Sequence, residues 1–128
     1  MKKLILISHG AFCEGLKEST EMILGDQPDI VPVPLLPHES AEDFQNKLSA
    51  ELAESEDVTV FADLLGGTPA NAAAKLLLQG QQFDLYAGMS LPMVITYVNG
   101  QLLGEDIDII GKTKEYIVKV NDLLLDNE

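Results

Sequence analysis

Four short apolar runs divide the first two thirds of the chain. They are Leu4-Ile5-Leu6-Ile7, Ile30-Val31-Pro32-Val33-Pro34-Leu35, Val58-Thr59-Val60-Phe61-Ala62 and Phe83-Asp84-Leu85-Tyr86-Ala87. Bulky residues without polar alternation suit strands covered on both faces. Between the runs the pattern changes to helical spacing. Residues 11–24 read as a helix with Phe12, Leu16, Met22, Ile23 and Leu24 turned inward, with Glu14, Lys17, Glu18 and Glu21 facing water and Gly25 closing it. Ser40 followed by Asp43 resembles a cap whose third residue reaches back, opening a helix over 41–53. Pro69 suits the first turn of a helix over 70–78, where Ala72, Ala73 and Ala74 allow close packing on a sheet. Pro92 opens a short helix to about Val98.

This alternation predicts an α/β fold: an open, mainly parallel sheet of four strands with helices on both faces and right-handed crossovers. Pro32 and Pro34 lack N–H donors, which places the second strand at an edge. The tail is less regular. Residues 101–111 show no period, and 115–125 fit either a strand through Ile117, Val118 and Val120 or a helix through Ile117, Val120 and Leu124. A strand over Tyr116–Asn121 is the reading adopted.

The length of 128 residues suits one domain spanning 1–128, large enough for a core without disulfides or metal. Eight basic against 21 acidic residues give a formal charge of −13, which excludes nucleic acid as a partner and leaves either a basic protein surface or simple solubility as its use. The start Met1-Lys2-Lys3 and its apolar run are too short for a secretory signal, and no stretch is long enough to span a membrane. A cytoplasmic protein is expected. The one cysteine, Cys13, reads as a small buried filler rather than an activated thiol. With two scattered histidines, no metal site and no cofactor are expected.

The chemistry concentrates where two strands end. His9 and Gly10 follow the first strand, and Asp63-Leu64-Leu65-Gly66-Gly67-Thr68-Pro69 follows the third. In a parallel sheet both exits open on one edge, where such folds bind ligands. A carboxylate near an imidazole holds the proton on Nδ1 and leaves Nε2 as a nucleophile. Paired glycines let backbone N–H groups surround an anion, and Thr68 adds a hydroxyl ahead of a helix. Singly, Asp63 can be a turn cap, the glycines a plain turn and Thr68 an N-cap. Their joint placement on one edge favours a phosphate site. No GxGxxG is present and no Gly-Lys-Ser/Thr follows the paired glycines, so neither a dinucleotide fold nor a P-loop fits. His38 lies in a polar loop and is left outside the site.

These residues resemble the IIA domains of the mannose/sorbose class of the bacterial sugar phosphotransferase system (PTS). The resemblance rests on Ser8-His9-Gly10, on Glu21-Met22-Ile23-Leu24-Gly25, on Asp63 to Pro69 with Asn71-Ala72-Ala73, and on Ala87-Gly88-Met89-Ser90-Leu91-Pro92-Met93. It covers residues 1 to about 98. It implies a phosphotransferase component that accepts phosphate on His9 from the carrier protein HPr and passes it to a IIB subunit, with membrane IIC and IID components involved indirectly. By the same match Asp63 orients His9, and Thr68 with the backbone of Gly10, Leu64, Gly66 and Gly67 receives the phosphoryl oxygens. Many relatives fuse IIA to IIB, so this chain is expected to act as a separate subunit. The resemblance also implies a homodimer in which an antiparallel C-terminal strand covers the open edge of the fourth strand. Two alternatives share the fold. One is the phosphocarrier domain of a dihydroxyacetone kinase system, against which Gly66-Gly67-Thr68-Pro69 speaks. The other is a regulatory module that has lost transfer, against which His9 and Asp63 speak.

Overall fold

The computed structural model describes residues 2–125, which fall into two compact units, one up to Ser90 and one from Leu91. The first unit holds β1 (Lys2–His9), α1 (Phe12–Leu24), β2 (Ile30–Leu35), α2 (Ala41–Leu52), β3 (Asp57–Ala62), α3 (Thr68–Leu78) and β4 (Asp84–Ala87). The strands form one parallel sheet in the order β2-β1-β3-β4.

Alternation sorts the sheet into two faces, with α2 and α3 packed on one and α1 on the other. On one face Ile5, Ile7, Val33, Val58, Val60 and Ala62 join Phe44, Leu48 and Leu52 of α2 and Ala70, Ala73 and Leu76 of α3 in a single core. The opposite face carries Leu4, Leu6 and Ser8, and α1 lies there, with Ser8 bonded to Cys13. On this face too Phe61 meets Tyr86 of the paired strand edge-on, with ring centroids 5.5 Å apart. Burying the central strands on both sides explains why their sequences show no polar alternation.

The edges follow from the sequence. β2 pairs only with β1, so the missing amides of Pro32 and Pro34 cost it no ladder bonds on the inner side. The cap at α2 is reciprocal: the Asp43 N–H donates to Ser40 Oγ, and the Ser40 N–H donates to Asp43 Oδ2, both at 3.0 Å. Gly25 ends α1 with φ 85°, a left-handed position that suits glycine.

The buried side of α1 differs from expectation. Phe12, Met22 and Ile23 are exposed, whereas Cys13, Leu16 and Thr20 are buried. Thr20 can be buried because its hydroxyl donates to the Leu16 carbonyl at 2.8 Å.

The second unit contains α4 (Leu91–Leu103), α5 (Ile109–Lys114) and α6 (Val120–Leu124). α4 runs a turn beyond the expected end at Val98 and continues past Gly100, against which Ile107 packs. Asp108 caps α5 by accepting from the Gly111 N–H at 3.1 Å. The strand expected over Tyr116–Asn121 is not formed: 116–119 are irregular and Val120 begins α6. The physical reason lies in the backbone. A strand needs a neighbouring ladder, and here the local alternative is taken, with Tyr116 N–H bonded to Thr113, Ile117 N–H to Lys114 and Leu125 N–H to Asn121. Among the described residues no helix is long and apolar enough to cross a membrane.

Candidate functional site

His9 is the last residue of β1, and Asp63 follows the last residue of β3, the strand paired beside it. The Asp63 N–H continues the ladder to the Ile7 carbonyl at 3.1 Å, so the carboxylate is delivered to the imidazole by the sheet itself. One oxygen, Oδ2, accepts from the His9 backbone N–H at 2.9 Å and lies 2.7 Å from ring Nδ1. The other, Oδ1, accepts from the Leu64 N–H at 2.9 Å. Three contacts on one carboxylate hold the ring in a single orientation.

Burial pushes the Asp63 carboxyl upward, but the His9 N–H, the ring contact and the Leu64 N–H outweigh it and hold the group below the usual carboxylate range. An ionised Asp63 only accepts, so in the neutral ring the proton sits on Nδ1 and Nε2 keeps its lone pair. The Asp63 side chain is 11% exposed and the His9 side chain 50%, so the carboxylate is sheltered while the imidazole is reachable from solvent.

The glycine loop completes the site. A Cβ on Gly67 would stand 2.6 Å from His9 Cε1, so the ring lies directly against this backbone. Gly66 takes φ 87° and Gly10 takes φ 55°, conformations that favour glycine at both exits. Thr68 is the first residue of α3, behind Gly67 as N-cap, and no side chain caps this helix end. Its first amides have no intrahelical acceptor and can meet an anion. Pro69 removes one donor where none would have been paired.

The structure thus brings together His9, Asp63, Gly10, Leu64, Gly66, Gly67 and Thr68 at one edge. His38 is exposed in the loop after β2 and does not join the His9–Asp63 contact. Cys13 is buried, and desolvation raises its thiol above the usual value, as suits a filler. One supporting residue was not singled out by pattern alone. Asn71 holds the loop, its N–H donating to the Gly67 carbonyl at 2.9 Å and its side chain to the Gly66 carbonyl at 3.3 Å. Elsewhere, Lys47 of α2 ties the end of β2 and the loop after it, donating to the Pro34 carbonyl at 2.5 Å and to Glu39 at 2.8 Å. Glu39 in turn accepts from the Leu36 N–H, and the Lys47 bond followed by this one lowers its pKa. Among the described residues no cluster of three or more His, Cys, Asp or Glu could hold a metal ion.

This site occurs on a known background. Residues 3–110 match the family model EIIA-man, described as the PTS system fructose IIA component. The chain belongs to this family. It is 35% identical over 98 residues to the fructose-specific EIIA component of Bacillus subtilis, covering 74% of this chain and 67% of that one. With the sorbose-specific EIIA component of Lacticaseibacillus casei it shares 34% identity over 118 residues, covering 88% and 86%. Among solved structures, a phosphotransferase system component EIIA from Streptococcus agalactiae superposes with a TM-score of 0.87 at 29% identity, over 95% of this chain and 99% of that one. The EIIA-type chain is therefore a sugar-transport phosphotransferase component of the fructose/mannose/sorbose group, and its four-stranded parallel sheet is that group's fold.

Proposed function

We propose that this EIIA-type protein is a phosphohistidine carrier, with His9 as the residue that takes and gives the phosphoryl group. The observation that carries the reading is the 2.7 Å contact between His9 Nδ1 and Asp63 Oδ2, which leaves Nε2 unprotonated on an exposed ring beside the glycine loop. In the transfer, the Nε2 lone pair forms a bond to phosphorus as the donor's P–N bond breaks and its electron pair returns to the donor nitrogen. His9 keeps its Nδ1 proton, so the phosphorylated ring carries positive charge, and Asp63 stabilises it. The amides of Gly66, Gly67 and Thr68 and the Thr68 hydroxyl are the groups offered to the phosphoryl oxygens, whereas the N–H groups of Gly10 and Leu64, expected to share that task, are already given to the Leu35 carbonyl and to Asp63 Oδ1 and shape the turns instead. Such a transition state needs positioning and charge stabilisation more than covalent help, which is what this arrangement supplies.

The donor in this reading is HPr and the acceptor a IIB subunit, with membrane IIC and IID components downstream and the protein itself in the cytoplasm. The family favours the sugar system over a dihydroxyacetone kinase carrier. A homodimer is part of the proposal, supported by the exposed apolar residues Tyr116, Ile117, Val118, Leu123, Leu124 and Leu125. The test is direct: incubation with phosphoenolpyruvate, enzyme I and HPr, followed by mapping of acid-labile phosphate. Label on His9 that disappears in His9→Ala supports the reading. Label that survives in that variant, or that sits on His38, overturns it.

A further inference from the structure

Ser8 is wholly buried, a hydroxyl next to the end of an apolar strand, and a buried hydroxyl is expected to have partners. Its Oγ donates to the Gly10 carbonyl at 2.9 Å and accepts from the Cys13 N–H at 2.8 Å. Cys13 is the second residue of α1, and Ala11 at the N-cap offers that helix no side-chain bond. Ser8 therefore does from the strand what a capping residue does from within a helix. The Cys13 thiol reaches the same Gly10 carbonyl only at 4.0 Å, as a weak donor.

These bonds bracket His9. On one side of it stands Ser8. On the other are the carbonyl of the left-handed Gly10 and the first turn of α1, both tied to the Ser8 hydroxyl. The remaining ties come from neighbouring strands: His9 N–H to Asp63 Oδ2 at 2.9 Å and Gly10 N–H to the Leu35 carbonyl at 2.8 Å. Those two fix where the turn sits. The Ser8 hydroxyl fixes how the peptide after Gly10 is rotated, the one that leads from the turn into α1.

We propose that Ser8 is a positioning residue for His9. By joining the Gly10 carbonyl to the Cys13 amide, its hydroxyl sets the backbone from which the imidazole hangs, keeping Nδ1 on Asp63 and Nε2 on the open side. The proposal rests on the reading that His9 accepts the phosphoryl group. Without the hydroxyl, the ladder of β1 with β2 and β3 persists, because it is made of backbone bonds, while the turn gains freedom and the ring spends time out of line with an incoming phosphorus. A misplacement of about 1 Å costs on the order of a hundredfold in rate.

The experiment compares wild type with Ser8→Ala, Ser8→Cys and Ser8→Thr. Two quantities are read: phosphorylation by phosphorylated HPr over a range of its concentration, and the ¹⁵N NMR signature of the His9 ring in the unphosphorylated protein. Ser8→Ala is expected to lower the rate at saturating donor by roughly tenfold to a hundredfold with an unchanged KM, and to convert the single Nδ1–H tautomer into a mixture. Ser8→Thr, which keeps the oxygen, restores both readouts. Ser8→Cys, a weaker donor and acceptor of similar size, falls between and replaces Ser8→Ala should that variant not fold. A wild-type rate and an unchanged ring signature in Ser8→Ala, or in Ser8→Cys in its place, overturn the proposal, as does a loss in KM alone. Absence of phosphorylation in the wild type fails the carrier reading instead, and the ring signature then judges Ser8 alone.

Discussion

The imidazole of His9 rests against the backbone of Gly67 so closely that a methyl group there would lie 2.6 Å from Cε1 and 3.3 Å from Nε2. Gly67 itself has φ −86° and ψ 167°, values open to any residue, so its lack of a side chain is a requirement of the ring and not of the chain's bend. Gly67→Ala is expected to fold with a melting temperature close to wild type while phosphorylation slows by about tenfold or more. Thermal unfolding and single-turnover labelling on the same preparation check both halves. A wild-type rate would mean that the ring has room to move aside without loss.

Asp63→Asn keeps the shape of the orienting group and removes its charge. Transfer is expected to slow by roughly 10²-fold with the fold intact, since the amide can present its N–H to Nδ1 and reverse the tautomer. Labelling rates at fixed donor concentration decide it. An unchanged rate would reduce Asp63 to a turn cap.

The same carboxylate makes a prediction about acid. Its pKa is lowered in the folded chain, so its stabilising contribution is fully present above the unfolded value of roughly 4 and is lost as pH falls through the folded value. Melting temperature followed from pH 6 downward should therefore drop less steeply in Asp63→Asn than in wild type. Parallel curves would contradict the depressed pKa.

A formal charge of −13 should steer a basic donor toward this protein. Raising ionic strength from low to several hundred millimolar is expected to lower the association rate with HPr by roughly tenfold and to change dissociation little. Stopped-flow binding measures both. Leu65, 85% exposed on the loop after Asp63, is a candidate contact, and Leu65→Ser should instead speed dissociation.

For the proposed dimer, sedimentation of the full chain beside one ending at Gly111 is the check. The full chain should sediment as a dimer and the shortened one as a monomer. A monomeric full chain, or a shortened chain that stays paired, would sink the role given to the exposed apolar residues of the tail.

The strands were legible in the sequence because burial on both faces leaves a signal that does not depend on knowing the partner strand, as in Leu4 to Ile7 and Val58 to Ala62. The pairing of His9 with Asp63 was legible for a related reason: parallel strands leave the sheet on one edge whatever the details of the helices. The inward side of α1 was not. Hydrophobicity pointed to Phe12, Met22 and Ile23, but the helix buries the small Cys13 and a threonine that satisfies its own hydroxyl, which no count of apolar spacing reveals. Ser8 stood in the motif beside His9, but its bonding role was hidden for the same cause, since its two partners lie beyond a turn whose geometry only the folded chain displays. The expected strand at Tyr116 failed because β-branched composition specifies a strand only where a neighbour offers a ladder.

The register of the sheet has a consequence for how the chain is made. β1 emerges from the ribosome first, yet its partners are β2, beginning at Ile30, and β3, beginning at Asp57. Until both have been synthesised, a run of bulky aliphatic residues waits without its hydrogen-bonding neighbours, and closing such distant pairs is the slow part of folding a parallel sheet. The two groups that define the site lie 54 residues apart and meet only when that last pairing closes. A nascent chain halted before Asp63 contains the histidine but no means of aiming it, so the oriented pair arrives only about midway through translation, with the third strand.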